Sequence, residues 1–318
     1  MKMNNRVFGI IGVGCRNSNW NADFSGNPKR YLDEYVASPF ALKYAIRDYW
    51  EQKGFKVYFR KSFKSVKDKI VPNNLEERYL SLYGVDKLPQ NESEFQNNIF
   101  SAIDVMNFGG VFPIKELSSS YTGVVQLTTG INKYDGAETI RDAVLSRFQN
   151  SNKAENSVTS VGARYVLNEA HFFYGFTVNP TNYDFIKGLN ESFTGYTIEA
   201  YEAFKEASLY AVNNINSVSK VGCYNEFSMF IKLKSDSLKL IPNLNDTVKF
   251  TKSCDMDTDT YLDEIDITVA VDELIHFADD IESIEIYYNP QLLTIKYNKS
   301  ILDAKLKKLN ILNSNLEV

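Results

Sequence analysis

Asn17, Asn19 and Asn21 alternate along Arg16-Asn17-Ser18-Asn19-Trp20-Asn21-Ala22-Asp23, and a polar stretch with Asn27-Pro28-Lys29-Arg30 and Asp33 follows. In an extended segment, residues two apart point the same way, so the amides line one side and offer both donors and acceptors. Lys43 and Arg47 are four apart in a helical pattern that opens at Ser38-Pro39, which puts two cations on one face. Amides and fixed positive charge at a strand end suit a phosphate backbone better than a small apolar ligand. The basic character continues. Residues 43–69 hold nine Lys and Arg (Lys43, Arg47, Lys53, Lys56, Arg60, Lys61, Lys64, Lys67 and Lys69) against Asp48, Glu51 and Asp68. Tyr44, Tyr49, Trp50, Phe55, Tyr58, Phe59 and Phe63 are interleaved. Cations with stacking rings fit a single strand of nucleic acid; the same composition also describes a solvated face over an apolar core. With 55–59 read as a strand, Tyr58 and Arg60 share one face, and Phe59 and Lys61 the other. Lys43 and Arg47 are read as exposed, so that removing both leaves the fold intact.

The chain offers little for catalysis. Asp104 is a carboxylate with no neighbouring His, Lys or second acid in the sequence, and reads as a helix-end cap or an ion pair. His171 stands before the aromatic run Phe172-Phe173-Tyr174 and reads as packed; His276 falls in an amphipathic helical pattern over 271–279. Neither has the spacing of a nucleophilic site. No metal and no cofactor are expected, because His, Cys and acidic residues do not cluster at ligand spacing. Asp255-Met256-Asp257-Thr258-Asp259 imitates the start of a calcium loop, but Thr260 and Asp266 stand where Gly and a bidentate Glu are needed. No Gly-rich phosphate loop with its Lys occurs.

The elements that must carry these residues follow from pattern. The chain has 318 residues, 44% of them apolar, with 20 Tyr and 21 Phe, enough for a large core. A strand over 6–15, a loop over 16–37 and a helix over 38–53 open it. A second strand is read at Phe55–Phe59, helices near 75–84 and 93–103, and a strand from Tyr121 to Thr129. Residues 130–165 read as polar and irregular, with a turn at Asn150-Ser151-Asn152. An aromatic strand over 168–178 follows. Thr197 is a candidate cap for a helix with Ala200, Phe204, Ala207 and Ala211 on its core face. Tyr224–Lys234 reads as a final strand, with Phe227, Met229, Ile231 and Leu233 on one side. The order strand–helix–strands–helix–strand is that of a ferredoxin-like or RNA-recognition-motif core, so the fold class is α+β.

Net charge is −5, which by itself argues against nucleic acid. Its distribution argues otherwise. Residues 1–100 carry 16 Lys and Arg against 11 Asp and Glu; residues 235–318 carry 8 against 16. Local potential decides phosphate binding. A basic end and an acidic end on one chain also suit head-to-tail contact between copies. Cys15, Cys223 and Cys254 are odd in number and lack CxxC spacing, so reduced thiols and a cytoplasmic location are expected. The apolar run near the N-terminus is too short for a signal segment or a membrane span, so a soluble protein with no membrane partner is expected.

Asn17, Asn19, Asp23, Pro28 and Arg30, followed by Leu42-Lys43-Tyr44-Ala45-Ile46-Arg47-Asp48-Tyr49, resemble the opening of the backbone subunit of type I CRISPR Cascade complexes. This is the Cas-seven superfamily, and its type I-B branch is the most similar. Asp104-Val105-Met106-Asn107-Phe108-Gly109-Gly110, Tyr121-Thr122-Gly123-Val124-Val125-Gln126, Gly162-Ala163-Arg164-Tyr165 and Tyr174-Gly175-Phe176 match in the same order. The resemblance implies a hand-like α+β fold: an RRM-like palm over 1–53 and 106–318, a fingers insertion over 54–105, and a thumb β-hairpin at about 130–167. It implies a crRNA-binding, non-enzymatic subunit that oligomerises head-to-tail in antiviral defence and displays the guide RNA to target DNA. Its partners would be crRNA, target DNA through the crRNA, other copies of itself and other Cascade subunits. Gln126 falls in the family's Thr-Gly-Pro-Val-Gln-Phe stretch. The Arg that ends that stretch is absent; Ile131-Asn132 stands there, and Lys133 could substitute. Arg164 falls on the family's Met-Gly-Arg pattern. The RNA-binding set is therefore Arg16, Asn17, Asn19, Asn21, Arg30, Lys43, Arg47, Gln126, Lys133 and Arg164. The alternatives are an RNA-processing or RNA-cleaving endoribonuclease on a related core, and a protein-interaction module.

Overall fold

The computed structural model describes residues 1–114, 117–146, 160–252 and 262–318. Strand β1 (Val7–Ser18) explains its own unbroken apolar run. Val7, Ile11, Val13 and Cys15 enter one core, while Phe8 and Ile10 enter a second on the opposite face. Then come β2 (Arg30–Tyr31), β3 (Glu34–Ala37) and α1 (Pro39–Gln52), whose Pro39 is pre-set for a first helical turn. An insertion holds the hairpin β4 (Phe63–Val66) and β5 (Lys69–Pro72), with helices α2 (Leu75–Tyr83), α3 (Glu92–Phe100) and α4 (Ile103–Phe108). The chain continues through β6 (Gly109–Phe112), β7 (Ser119–Thr122), β8 (Val125–Leu127), β9 (Gly130–Asn132), β10 (Thr139–Ser146) and β11 (Ser160–Val178). After α5 (Asp184–Lys187), α6 (Ile198–Asn214) and β12 (Cys223–Leu233), a C-terminal part adds β13 (Lys249–Thr251), β14 (Asp263–Asp266), α7 (Thr268–Ile275), β15 (Ile281–Tyr288), β16 (Leu293–Lys296), β17 (Leu306–Asn310) and β18 (Asn313–Glu317).

The fold is a mixed arrangement of helices and sheets around an eleven-stranded sheet. Its path runs β18-β17-β15-β12-β1-β11-β9-β3-β2, with β8 and β10 also paired to β11. β1 lies between β12 and β11 and is antiparallel to both. Helices α1 and α6 pack together on one face. Trp50 Nε1 donates to the Ala203 carbonyl at 2.9 Å, and the Tyr49 hydroxyl to Glu206 at 2.9 Å. Thr197 caps α6 by accepting from the Ala200 N–H at 3.1 Å, and Ala200, Phe204, Ala207 and Ala211 are buried as their spacing predicts. On the other face, Phe227, Met229, Ile231 and Leu233 of β12 meet Ala270, Val271 and Leu274 of α7.

Several expectations are corrected. No strand forms at Phe55–Phe59: the Tyr58 and Phe59 N–H groups donate to Asp104 instead of to a neighbouring strand. Tyr58 is fully buried, so the face shared by Tyr58 and Arg60 does not exist. The 130–165 stretch is not irregular; β9, β10 and the first part of β11 occupy its described residues. β12 is not the last strand, because Ile281, Ile284, Ile286 and Tyr288 of β15 complete the same apolar face beside it. Helix α7 ends at Ile275, one residue before an exposed His276. The 255–259 stretch and the Asn150–Asn152 turn lie outside the described residues.

Candidate nucleic-acid interface

The asparagine loop is built to hold itself together. Asn17 has a φ of +47°, a left-handed turn that asparagine tolerates, and only its side chain among the alternating amides is exposed. Asn19 is buried and donates to the carbonyls of Gly26 at 3.1 Å and Tyr165 at 3.2 Å. Asn21 accepts from the Ser38 N–H at 2.6 Å, which fixes the start of α1 against the loop. Trp20 donates to the Tyr174 hydroxyl at 2.7 Å below them. Lys220 sits underneath and donates to the carbonyls of Asn19 and Trp20, both at 2.6 Å. The amides do not line one side of an extended segment as the alternation predicts. The chain turns at Asn17 and spends Asn19 and Asn21 on backbone groups.

The expected cations divide into engaged and unengaged. Lys43 and Arg47 do share a helical face: their charges lie 4.8 and 5.3 Å from the Phe108 ring. That face is not an exposed one. Arg47 Nε donates to Asp104 Oδ2 at 3.0 Å, and Asp104 is 0% exposed. Asp104 also accepts the N–H groups of Tyr58 at 2.7 Å and Phe59 at 2.9 Å, so it pins the start of the insertion to α1 and α4. This is the ion-pair reading of Asp104. Lys43 has no acid partner among the described residues; burial, with Arg47 adding repulsion, lowers its pKa to about 8. Arg16 is held by Glu169 and Asp263, each at 2.9 Å. Arg164 reaches the carbonyls of Asn17 at 3.2 Å and Val218 at 3.0 Å, clipping the β10–β11 hairpin to the loop without an ion pair among the described residues.

Arg30 is exposed and stacks 4.7 Å over Tyr35. It lines a cleft of about 650 Å³ together with Asp33, Glu34, Asp135 and Glu138, an acidic setting for a phosphate contact. Gln126 is exposed and donates to the Gly123 carbonyl at 2.8 Å. Lys133 is half-buried and its pKa is lowered by that burial.

The basic segment 43–69 contains residues that sequence reasoning grouped together and the fold separates. Lys53 pairs with Glu206, Arg60 with Asp48 and Glu51, Lys64 with Glu77, and Arg47 with Asp104. Among the described residues, Lys43, Lys56, Lys61, Lys67 and Lys69 have no carboxylate partner. The last four are exposed, and Lys67 and Lys69 flank the turn of the β4–β5 hairpin. Phe63, Val66 and Ile70 are exposed on the same hairpin. Asp68 stands between Lys67 and Lys69; exposed cations with apolar groups beside them suit nucleic-acid backbone and base faces.

Residues 5–271 match the family model described as CRISPR-associated protein Cas7. The chain belongs to that family. Two solved chains, described as "CRISPR RNA-guided surveillance complex, pre-nicking" and "CRISPR RNA-guided surveillance complex", align over 96% and 95% of this chain and 96% and 94% of their own. Each is 15% identical, with a TM-score of 0.46. No curated protein matches significantly. The family match covers the motifs at 104–110 and 121–126, which the fold presses together. Gly109 has a φ of +65°, and a Cβ there would lie 2.0 Å from the Tyr121 carbonyl oxygen; one on Gly123 would lie 2.1 Å from the Phe108 carbonyl carbon. Only glycine permits both.

A buried charge cluster in this Cas7-family chain was not legible from spacing. Glu169, His171 and Asp263 bring ligand-type atoms within 4.8 Å of one another, although the sequence shows no such clustering. A bulge opposite Gly12 and Val13 leaves Glu226 as the extra residue of β12, and its Oε2 lies 2.7 Å from His171 Nδ1. His171 is fully buried and stacks 3.7 Å from the Phe250 ring, as a packed histidine should. Burial pushes its pKa down, but Glu226 and Glu169 outweigh burial and raise it to about 9. The hydrogen bond from His171, with Lys252 and Arg16, lowers Glu169 to about 2 against burial. These carboxylates are thus occupied by Arg16, Lys252 and a protonated imidazole. A metal ion would have to displace all three cations. No helix among the described residues is long and apolar enough to cross a membrane.

Proposed function

We propose that this chain is the crRNA-binding backbone subunit of a type I-B Cascade interference complex. Family membership supports the class of assembly. The observation that carries RNA binding is the uneven neutralisation of 43–69, which leaves Lys43, Lys56, Lys61, Lys67 and Lys69 without an ion-pair partner among the described residues. Such cations contact phosphates and sugars, which fits a guide whose sequence varies. In this reading the strand order β12-β1-β11-β9, with α1 and α6 on one face, is a ferredoxin-like palm. The β10–β11 hairpin is the thumb, and 54–105 the fingers. The acidic cleft around Arg30 and the exposed Lys67 and Lys69 of the β4–β5 hairpin suit head-to-tail stacking of copies along the guide. The copies together present the guide's bases to target DNA.

We read the subunit as non-enzymatic. Asp104, the carboxylate that invites a nuclease reading, is fully committed to Arg47 and two backbone N–H groups. No observation favours the endoribonuclease alternative. The test is fluorescence anisotropy of the purified chain with two single-stranded RNAs of equal length and unrelated sequence. Equal affinities are expected, with a log–log salt slope of about −0.7 per neutralised phosphate. Salt-independent affinity, or strong preference for one sequence, refutes the reading.

A further inference from the structure

Cys15 and Cys223 are far apart in sequence and adjacent in the fold. They face each other in the antiparallel register of β1 and β12, both are free thiols, and they are 0% and 5% exposed. The Arg16 N–H donates to the Gly222 carbonyl at 2.9 Å, so the ladder bond falls one residue beyond them. Cys15 and Cys223 therefore occupy a non-hydrogen-bonded position, where facing Cα atoms lie about 4.5 Å apart. A disulfide spans Cα separations of about 4.4–6.8 Å. The two Sγ atoms are 3.7 Å apart.

We propose that Cys15 and Cys223 are an oxidative modification site, which closes to an intramolecular disulfide on reaction with hydrogen peroxide. The surroundings of the two sulfurs differ. A hydrogen bond from Cys223, a backbone bond at Trp20 and the Lys220 ammonium hold the Cys15 thiol below its usual range despite burial. The same sulfur contact, together with burial, pushes Cys223 up. We take Cys15 as the attacking thiolate. Its sulfur attacks one peroxide oxygen, the O–O bond breaks, and the leaving hydroxide takes a proton to become water; Cys15 is then a sulfenic acid. The Cys223 sulfur attacks the Cys15 sulfur, the S–O bond breaks, and the second hydroxide leaves with the Cys223 proton as water. Two electrons pass from the thiols to the peroxide, and the products are one disulfide and two waters.

The bond would act on the loop above it. Cys15 Sγ donates to the Ser18 carbonyl at 3.2 Å, the Asn19 N–H donates to Ser219, and Lys220 holds Asn19 and Trp20. Closing the bond ties the end of β1 to the turn before β12, from which those contacts come.

The experiment uses the full chain with Cys254→Ser, so that only these two thiols remain. The folded protein is treated with about a tenfold excess of hydrogen peroxide, alkylated and weighed. The expected result is a loss of about 2 Da with no alkylated thiol, and one reducible peptide pair containing Cys15 and Cys223. Amide exchange over 16–23 is expected to slow by about threefold or more after oxidation. Two results overturn the proposal: both thiols persisting in the folded protein while the urea-unfolded protein cross-links, or a gain of about 32 or 48 Da on one cysteine without cross-linking. In Cys15→Ser, Cys223 should remain a thiol; oxidation of Cys223 at the parent rate overturns the assignment of the attacker.

Discussion

Arg47→Ala is expected to destabilise the fold far more than Lys43→Ala, although the two cations stand one turn apart on α1. Asp104 is 0% exposed and accepts from Tyr58 N–H at 2.7 Å, Phe59 N–H at 2.9 Å and Arg47 Nε at 3.0 Å. Removing the guanidinium leaves a carboxylate out of water with two dipoles and no counter-charge. Breaking a buried pair in this way costs about 3–5 kcal/mol. Arg47 is itself 17% exposed, so entering water relieves part of the loss and the lower end, about 3 kcal/mol, is expected. Lost cation–π contacts over Phe59 and Phe108 add roughly 0.5–1 kcal/mol. At about 2–4 °C per kcal/mol for a large domain, the melting midpoint should fall by roughly 6–16 °C. Lys43 has no acid partner among the described residues, and its loss should stay within about 1 kcal/mol of the parent. Thermal melting followed by circular dichroism measures both, in the absence of RNA. An Asp104→Ala variant and the double variant complete a cycle with a coupling of about 1–3 kcal/mol. If Arg47→Ala melts within about 2 °C of Lys43→Ala, or the two losses simply add, the buried-pair argument fails. The same reasoning replaces the expectation that Lys43 and Arg47 can be removed together with the fold kept: only Lys43 reports on RNA without that confusion.

The His171 cluster predicts a pH dependence. The folded pKa of about 9 lies above the ordinary 6.5, so the stabilisation is whole below about pH 6.5 and drains away as pH rises through about 9; urea midpoints across that window should fall in the parent and stay flatter in His171→Gln. The purified chain should cleave neither RNA nor DNA in magnesium or manganese, read on denaturing gels; metal-dependent cleavage that co-elutes with the pure chain revives the enzyme alternative. Thr197→Ala should cost about 1 kcal/mol through the lost cap on α6, measured by the same melts, with RNA affinity unchanged.

The parts of the fold legible in the sequence are those with local causes. Helix α6 announces itself by Thr197 and by the spacing of Ala200, Phe204, Ala207 and Ala211. β12 does so by its alternating Phe227, Met229, Ile231 and Leu233. What stayed hidden has a partner distant in sequence. Asn19 looks like a free amide until Tyr165 and Gly26 are placed beside it. Arg47 looks exposed until Asp104 arrives from 57 residues away. Phe55–Phe59 carries strand-forming residues, yet its Tyr58 and Phe59 N–H groups are claimed by that same carboxylate. The Glu169–His171–Asp263–Glu226 cluster needs a bulge and three separate segments, none of which spacing reveals.

Those distant partners also resolve the chain's negative charge. A protein of net charge −5 repels a polyanion only if its acids face it. Three of the eleven described acids after residue 262 pair with cations of the sheet and α6: Asp263 with Arg16, Glu282 with Lys232, and Glu285 with Lys205. Each such pair removes a positive charge from the central sheet region as well as a negative charge from the C-terminal part. The neutralisation is therefore spatially uneven. It silences Arg16 at the strand end, where the sequence placed the RNA path, and leaves Lys56, Lys61, Lys67 and Lys69 without a carboxylate partner among the described residues. A phosphate backbone responds to that local excess within about a Debye length, roughly 8–10 Å at ordinary salt, and not to the sum over the chain. In the proposed reading, RNA contacts are therefore sought at Lys43, Lys56, Lys61, Lys67 and Lys69, while Asn21 of the asparagine loop fixes the start of α1.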